Sequence, residues 1–417
     1  GGFESLDLAL DFPSQRGRQG MAIVANQCFQ LRPPVCPFRP IVVDPLGCQK
    51  PPDTVDMPDP FLEYEFLQSL EKSGCVGADT TWKPYYITLK DKQKDIIVGA
   101  ITFYIRFDSY GEFIFDWEWA RAFYSAGMNY YPKMLVAIPF TPTNGIRIHV
   151  DKEYSFETCA ALMVEYLIEL CKEKNFSSIH FLFLTKKEQE FLENYGFLSR
   201  TTHQYHWKNR EYNNFDDFLA DLKSAKRKQI KKERKYLFET DLKVELFDKD
   251  NIKMEHIEAI WQFYIDTSSR KWGTPYLNKK FFEIMYEKFR DRLVLVLAKN
   301  GGSWVGGTFN IVKNQSLFGR YWGCLEDFRF LHFECCYYSL IEYAISNNIQ
   351  IFEAGAQGEH KFLRGFAAYP TYSSHFINNV SANKAISDFL ESEKTYINNL
   401  IDKYNRKSPL KYLHGNS

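Results

Sequence analysis

Apolar positions along this chain change their spacing repeatedly, and each change marks an element. Phe61-Leu-Glu-Tyr-Glu-Phe-Leu-Gln-Ser-Leu70 has helical spacing, whereas Tyr85–Leu89 and Ile96–Ile105 are near-continuous β-branched and aromatic runs that predict strands. Met134–Ile138 and Ile146–Val150 predict two more strands, Phe156–Lys172 a long amphipathic helix, Ser178–Leu184 a strand, Lys187–Tyr195 a helix and Thr202–Trp207 a closing strand. From Glu211 the order runs again. A helix from Phe215 to Phe238 precedes a strand at Leu242–Phe247, helices at Met254–Thr267 and Lys279–Phe289, and strands at Leu293–Ala298, Val305–Val312 and Ser316–Trp322. A helix at Leu331–Ser346, a strand from Ile349, a closing strand at Tyr372–Ile377 and a helix at Ala382–Tyr404 complete the second pass.

Two related copies of one α/β module account for this order, each a mixed twisted sheet flanked by helices. The expected boundaries are 59–210 and 211–405, with a tail at 406–417; at 417 residues, two cores are the expectation. The first 58 residues stand apart. Between Ser14 and Val43 there are four arginines and no acid, followed by closely spaced prolines and no sustained period. That composition predicts an unfolded extension, and a transit-type leader is the alternative reading, which would place the protein in an organelle instead of the cytoplasm.

Composition adds few constraints. The 52 basic and 52 acidic residues cancel, so any attraction to a polyanion must come from a local patch. Nine cysteines without zinc or disulfide-framework spacing predict a reducing compartment and no metal site. No apolar run is long enough to span a bilayer, and nothing indicates a DNA partner.

The densest chemistry follows the strand at Ile349. Glu353-Ala-Gly-Ala-Gln357-Gly-Glu359-His360-Lys361-Phe-Leu-Arg364-Gly is a glycine-punctuated loop carrying carboxylates, an imidazole, an amine and a guanidinium. Glu359 and His360 are candidate bases, while Lys361 and Arg364 are candidate anion holders beside Glu353 and Gln357. Arg320, between glycine-flanked aromatics, would need a carboxylate if buried, and Glu353 or Glu359 is the natural partner. A structural ion pair between neighbouring strands is the competing reading.

A second candidate wall is Ser109-Tyr110-Gly-Glu112 with Asp116 and Trp117. A desolvated acid between tryptophans could be raised in pKa and shuttle protons, or the aromatics could line an acceptor groove; alternatively, the acids of a turn simply face water. Arg270, Lys271 and Trp272 fall between two helices, where they could overhang an acceptor or merely favour a helix C-terminus. Along the helix from Phe215, the cations Lys226, Arg227, Lys228, Lys231, Lys232 and Arg234 surround a single acid, Glu233, and form a candidate polyanion contact.

Several strings together resemble the FemAB-like group of N-acyltransferases, whose members pair two domains of the GNAT fold. They are Ser109-Tyr-Gly-Glu112-Phe, Phe115-Asp116-Trp117, Tyr131-Pro-Lys133, Pro139-Phe-Thr-Pro142, Arg270-Lys271-Trp272-Gly273-x-Pro275, Gly319-Arg320-Tyr-Trp322-Gly, Leu331-His-Phe-Glu334 and Glu353-Ala-Gly-Ala-Gln-Gly-Glu359-His-Lys361. The resemblance runs from about Pro60 to the C-terminal helix. It implies transfer of an acyl or aminoacyl group to an amine, with a cell-wall precursor as acceptor; the site roles above come from residue chemistry instead.

Acetyltransferases of that fold cradle coenzyme A with a basic glycine-rich turn at a helix N-terminus. The corresponding turns here are Gly323-Cys-Leu-Glu326-Asp327-Phe-Arg329-Phe and Asp151-Lys-Glu153-Tyr-Ser155, acidic and without internal glycine. Their chemistry favours aminoacyl-tRNA over acyl-CoA as the donor co-substrate. A non-catalytic module that binds a cell-wall fragment or RNA is the alternative function.

Overall fold

In each of two compact units the apolar runs pair into mixed β-structure packed under helices. The computed structural model describes residues 21–26 and 59–411, apart from 78, 92, 272, 273, 356, 357 and 359. In chain order the first elements are β1 (Met21–Asn26), α1 (Tyr64–Lys72), β2 (Trp82–Asp91), β3 (Ile96–Arg106), α2 (Trp117–Ser125), β4 (Lys133–Val136), β5 (His149–Val150), α3 (Phe156–Glu173), β6 (Ser178–Leu184), α4 (Lys186–Glu193) and β7 (Leu198–Lys208). There follow α5 (Phe215–Asp221), α6 (Ser224–Phe238), β8 (Lys243–Phe247), α7 (Met254–Lys271), α8 (Lys279–Phe289), β9 (Leu293–Asn300), β10 (Ser303–Lys313) and β11 (Ser316–Cys324). A helix then runs through α9 (Leu331–Phe333), a π-turn at Glu334–Tyr338 and α10 (Ser339–Ser346), before β12 (Ile351–Glu353), β13 (Ala367–Ile377) and α11 (Val380–Arg406).

The first unit comprises residues up to 202 together with 371–394, and the second comprises 203–370 with 395 onward. In the first, β2, β3 and β4 form an antiparallel meander, β4 lies parallel to β6, and β6 pairs antiparallel with Tyr372–Ile377 of β13. The second repeats the plan: β8 to β11 are antiparallel, β11 is parallel to β12, and β12 pairs antiparallel with His206–Lys208 of β7. In each unit a helix bridges the parallel pair, as a parallel connection requires. The shared plan is what the repeated order of elements predicts.

Three expectations are corrected. Each unit is closed by a strand from the other half of the sequence, so the boundaries 59–210 and 211–405 misplace 203–210 and 371–394. Strand periodicity identifies a strand but carries no information about which unit it joins. The 215–238 helix is two helices, because Leu222 turns extended and caps α5. The extension contributes β1, whose Met21–Asn26 pairs antiparallel with β2; the rest of the 1–58 segment lies outside the described residues.

Each unit has its own core. The first packs α3, through Cys159, Met163 and Leu167, on Ile87, Ile101, Phe103, Ile179 and Phe181. α3 starts where Ser155 accepts a hydrogen bond from the Thr158 amide, and α4 where Thr185 and Glu188 close a reciprocal capping box. The second core joins Phe218, Leu219 and Ile230 to Tyr338, Ile341, Phe352 and Phe366. Here α7 lies directly on β11: a Cβ on Gly323 would stand 2.2 Å from the Phe263 carbonyl oxygen, so only glycine fits.

Candidate functional site

The polar loop of the second unit is organised by the π-turn of its helix. One inserted residue per turn redirects successive side chains, a device common at functional sites, and here it turns both Tyr337 and Tyr338 inward. The Tyr337 hydroxyl lies 2.9 Å from His360 Nε2. Phe333 and His332 complete an aromatic wall around the imidazole, their ring centres 6.2 and 5.4 Å away. Gly358 sits at φ +116° under the ring, and a Cβ there would meet His360 Cε1 at 2.6 Å. Burial, then the charges of Lys361 and Arg364, hold half-buried His360 below its ordinary pKa, so it is a neutral base at pH 7.

Lys361 is buried, and its Nζ makes one hydrogen bond among the described residues, donating to the Gly355 carbonyl at 2.8 Å. Burial pushes its pKa down to about 7. An amine with a proton affinity near neutrality can take up a proton when a negative charge arrives.

The loop's other members behave differently. Arg364 is buried with its donors engaged: Nε donates to Tyr338 Oη at 2.9 Å, a terminal nitrogen to the His360 carbonyl at 3.0 Å, and the other to Glu233 at 3.2 Å. Its plane lies 3.3 Å from the centre of the Phe333 ring. The expectation that Arg364 holds a substrate anion is therefore corrected: its fork is spent inside the protein. Glu353 is half-buried, 3.9 Å from His206 Nε2. Arg320 is half-buried beside Tyr321 at a β-bulge, where Phe309 and Asn310 face Tyr321 and Gly319. Gln357 and Glu359 lie outside the described residues.

The candidate wall of the first unit is a closed cluster. Lys133 is fully buried at the start of β4 and donates to Ser109 Oγ and Glu112 Oε2, each at 2.8 Å, and to Asp116 Oδ2. Arg106 reaches Glu112 at 3.2 Å and the carbonyl of Tyr110 at 2.7 Å. Tyr130 donates to Asp116 and contacts His180, which continues to His375, ring nitrogen to ring nitrogen, at 2.7 Å. Burial pushes Glu112 up to about 7. Burial acts the same way on Asp116, but Lys133 outweighs it and holds that carboxyl below the usual range.

Asp116 is therefore paired with Lys133 and lowered in pKa, not raised, which corrects its assignment as a raised, proton-shuttling acid. Ser109 and Glu112 are likewise buried in the cluster and are not substrate contacts. Neither acid faces water, so the bland alternative fails as well. Of this group only Tyr110, 61% exposed, and half-exposed Trp117 reach the surface, their rings 5.0 Å apart.

Arg270 is exposed and donates to the Cys324 carbonyl at 2.5 Å and to Asp266. With Thr267, Trp322 and Cys324 it lines a cavity of about 110 Å³. The side chain of Lys271 is not described, and Trp272 lies outside the described residues.

The basic helix α6 has two distinct faces. Ile230, Glu233 and Leu237 are buried. Arg234, expected to bind a polyanion, instead forms a two-pronged pair with Glu334 at 2.9 and 3.1 Å and reaches Glu342 at 2.9 Å. Lys231 pairs with Asp216 at 2.9 Å, and Lys226 donates to Gln229 at 3.0 Å. Arg227, Lys228 and Lys232 have no partner among the described residues and stand at least partly exposed.

Residue types alone missed Lys133, His180 and His375, Glu233 as an inward-facing anchor, and the tyrosine pair at 337–338. The only available signal was Lys133 beside Tyr131-Pro132; the others sit inside ordinary strand or helix patterns. His206, buried and lowered by burial to about 3, and Glu334, held by Arg234, are structural groups. Among the described residues, no group of histidines, cysteines and acids could hold a metal ion.

A family profile for peptidoglycan biosynthesis/recognition, the FemAB-like family, matches residues 49–412. No curated protein matches the sequence. Among solved structures the chain is similar to FemX (12% identity, 78% of this chain and 94% of FemX, TM-score 0.48). It is also similar to L-PGS from Bacillus licheniformis (9% identity, 81% and 99%, TM-score 0.47) and to a tandem GNAT protein from the clavulanic acid biosynthesis pathway (9% identity, 76% and 88%, TM-score 0.41).

Proposed function

The chain belongs to the FemAB-like family, and from that premise we propose that it transfers an activated aminoacyl group to an amine of a peptidoglycan precursor. The observation that carries this reading is the pairing of a neutral imidazole, His360, with a neighbouring amine, Lys361, whose proton affinity lies near 7. Forming an amide from an activated ester removes a proton from the attacking nitrogen and places negative charge on the carbonyl oxygen. His360, with its Nε2 hydrogen directed to Tyr337, accepts the amine proton at Nδ1. The Tyr337 hydroxyl, kept protonated by burial, donates to the developing oxyanion. Lys361, protonated from solvent water before the attack, adds its charge beside the same oxygen and keeps that proton through the step. The new C–N bond replaces the C–O bond to the donor, and the proton held on His360 passes to the departing hydroxyl.

Two features support aminoacyl-tRNA as the donor over acyl-CoA. The turns that would cradle a pyrophosphate are not open. Ser155 already caps the α3 amides and Asp151 accepts from the Glu153 amide, while the turn before α9 exposes Glu326 and Asp327. On α6, Arg227, Lys228 and Lys232 offer a cationic face suited to a phosphate backbone.

Radiolabel transfer to a lipid-linked or soluble peptidoglycan precursor, from charged tRNA and separately from an acyl-CoA mixture, tests the proposal. Transfer from tRNA alone is expected. Transfer only from coenzyme A esters would overturn the donor, and affinity for the precursor without turnover from either donor would favour a binding module.

A further inference from the structure

We propose that Arg364 and Glu233 are positioning residues that lock His360 in place. The inference rests on the reading of His360 as the base of the proposed transfer. It concerns groups that the chemistry itself does not use.

His360 is gripped at two points by consecutive residues of one π-turn. Tyr337 meets its imidazole, and Tyr338, through Arg364, meets its carbonyl oxygen. The guanidinium cannot rotate to serve anything else. Its Nε is on Tyr338, its terminal nitrogens are on His360 and Glu233, and its face is stacked on Phe333, which also walls the imidazole. Glu233 is in turn held by Tyr338 and by Gln229 at 2.8 Å.

A buried ion pair is a poor source of stability, since apolar replacements of equal volume often do as well. What it supplies here is direction, because a planar fork holds its three partners in one fixed geometry, whereas the donors of an ammonium rotate and an alkyl chain has none. Glu233 also gives the basic run on α6 a second role. The lone acid of that run faces inward and ties α6 to the His360 loop, next to Arg234, which ties the same helix to Glu334 of the π-turn.

The test combines kinetics with an NMR titration of the His360 ring, in the full chain, for Arg364→Lys, Glu233→Gln and Tyr338→Phe. The charged and titratable groups facing that ring among the described residues are Tyr337 and His332 from the helix and Lys361 and Arg364 from the loop. Arg364→Lys keeps the charge but not the fork. It should lower kcat on the order of 10-fold, as a small misplacement of a reacting group does, with KM nearly unchanged, and the His360 titration should move up toward the ordinary histidine value as the ring gains solvent. Glu233→Gln should act in the same direction.

Tyr338→Phe removes a single hydroxyl and is the variant least able to unfold the protein; a smaller upward move is expected. An unchanged titration in both Arg364→Lys and Tyr338→Phe overturns the lock, whether or not transfer is observed. A shifted titration in a protein without transferase activity upholds the lock and removes only the functional reading.

Discussion

Two polar clusters, one in each unit, carry the same residue types and have opposite character. Around Lys133 every charge has a counter-charge: the ammonium touches two carboxylates and a hydroxyl, and Glu112 is shared with Arg106. Around Lys361 the ammonium touches one carbonyl and no carboxylate among the described residues, and the adjacent imidazole is only half-buried. The first arrangement is closed: Lys133, Glu112 and Asp116 are buried, and the ammonium spends its donors on two carboxylates and a hydroxyl. Among the described residues the second holds donors in reserve, and unused donors beside a neutral base are what acyl transfer requires. Charge density along the sequence therefore does not separate the two clusters; the counter-charges that each ammonium meets do.

Breaking the closed cluster should have the largest effect. Lys133→Met leaves Glu112 and Asp116 buried without their shared cation and should cost about 3–5 kcal/mol of stability, read by urea denaturation of wild type and variant. A loss below about 1 kcal/mol would mean that the cluster is not the closed structural unit described.

His360→Ala addresses the other pole. It should lower kcat on the order of 100-fold while the denaturation midpoint barely moves. A fall in stability as large as that of Lys133→Met would erase the distinction between the clusters.

Lys361→Met sharpens the contrast through pH. The unfolded lysine keeps its proton to about 10.5 and the folded one gives it up near 7, so between these values the unfolded chain binds more protons. Wild-type stability should therefore rise from pH 7 toward pH 10 relative to Lys361→Met, and the variant should be the more stable protein at pH 7. A parallel pair of stability curves would show that the amine is not depressed.

The smallest effect concerns α6. Replacing Arg227, Lys228 and Lys232 with alanine should reduce the slope of log K against log salt for tRNA binding by about 2–3, with kcat at saturating tRNA unchanged. The same change at Arg234 would disturb the π-turn as well and would not isolate the surface.

The fold was legible because it rests on period and order. Runs such as Leu293–Ala298 and Ser178–Leu184 are buried on both faces and announce themselves. What was hidden is long-range. Nothing local to Tyr372–Ile377 or His206–Lys208 states which unit each strand closes. The same limit governs the site. The His360 loop stands out by composition, yet the fate of Arg364 is decided by Glu233, 131 positions away. Asp116 was misread because its ionisation depends on Lys133, whose burial is a property of the folded unit and not of the residues beside it.

The central claim, that the His360–Lys361 loop performs the chemistry, is tested most directly by the pH dependence of single-turnover transfer from charged tRNA in wild type and His360→Ala. The wild-type rate should climb from pH 5 and level off near neutrality as His360 becomes neutral, and the variant should be slow and lack that rise. A wild-type rate independent of pH across this range, or a variant that follows the wild-type curve, would contradict it.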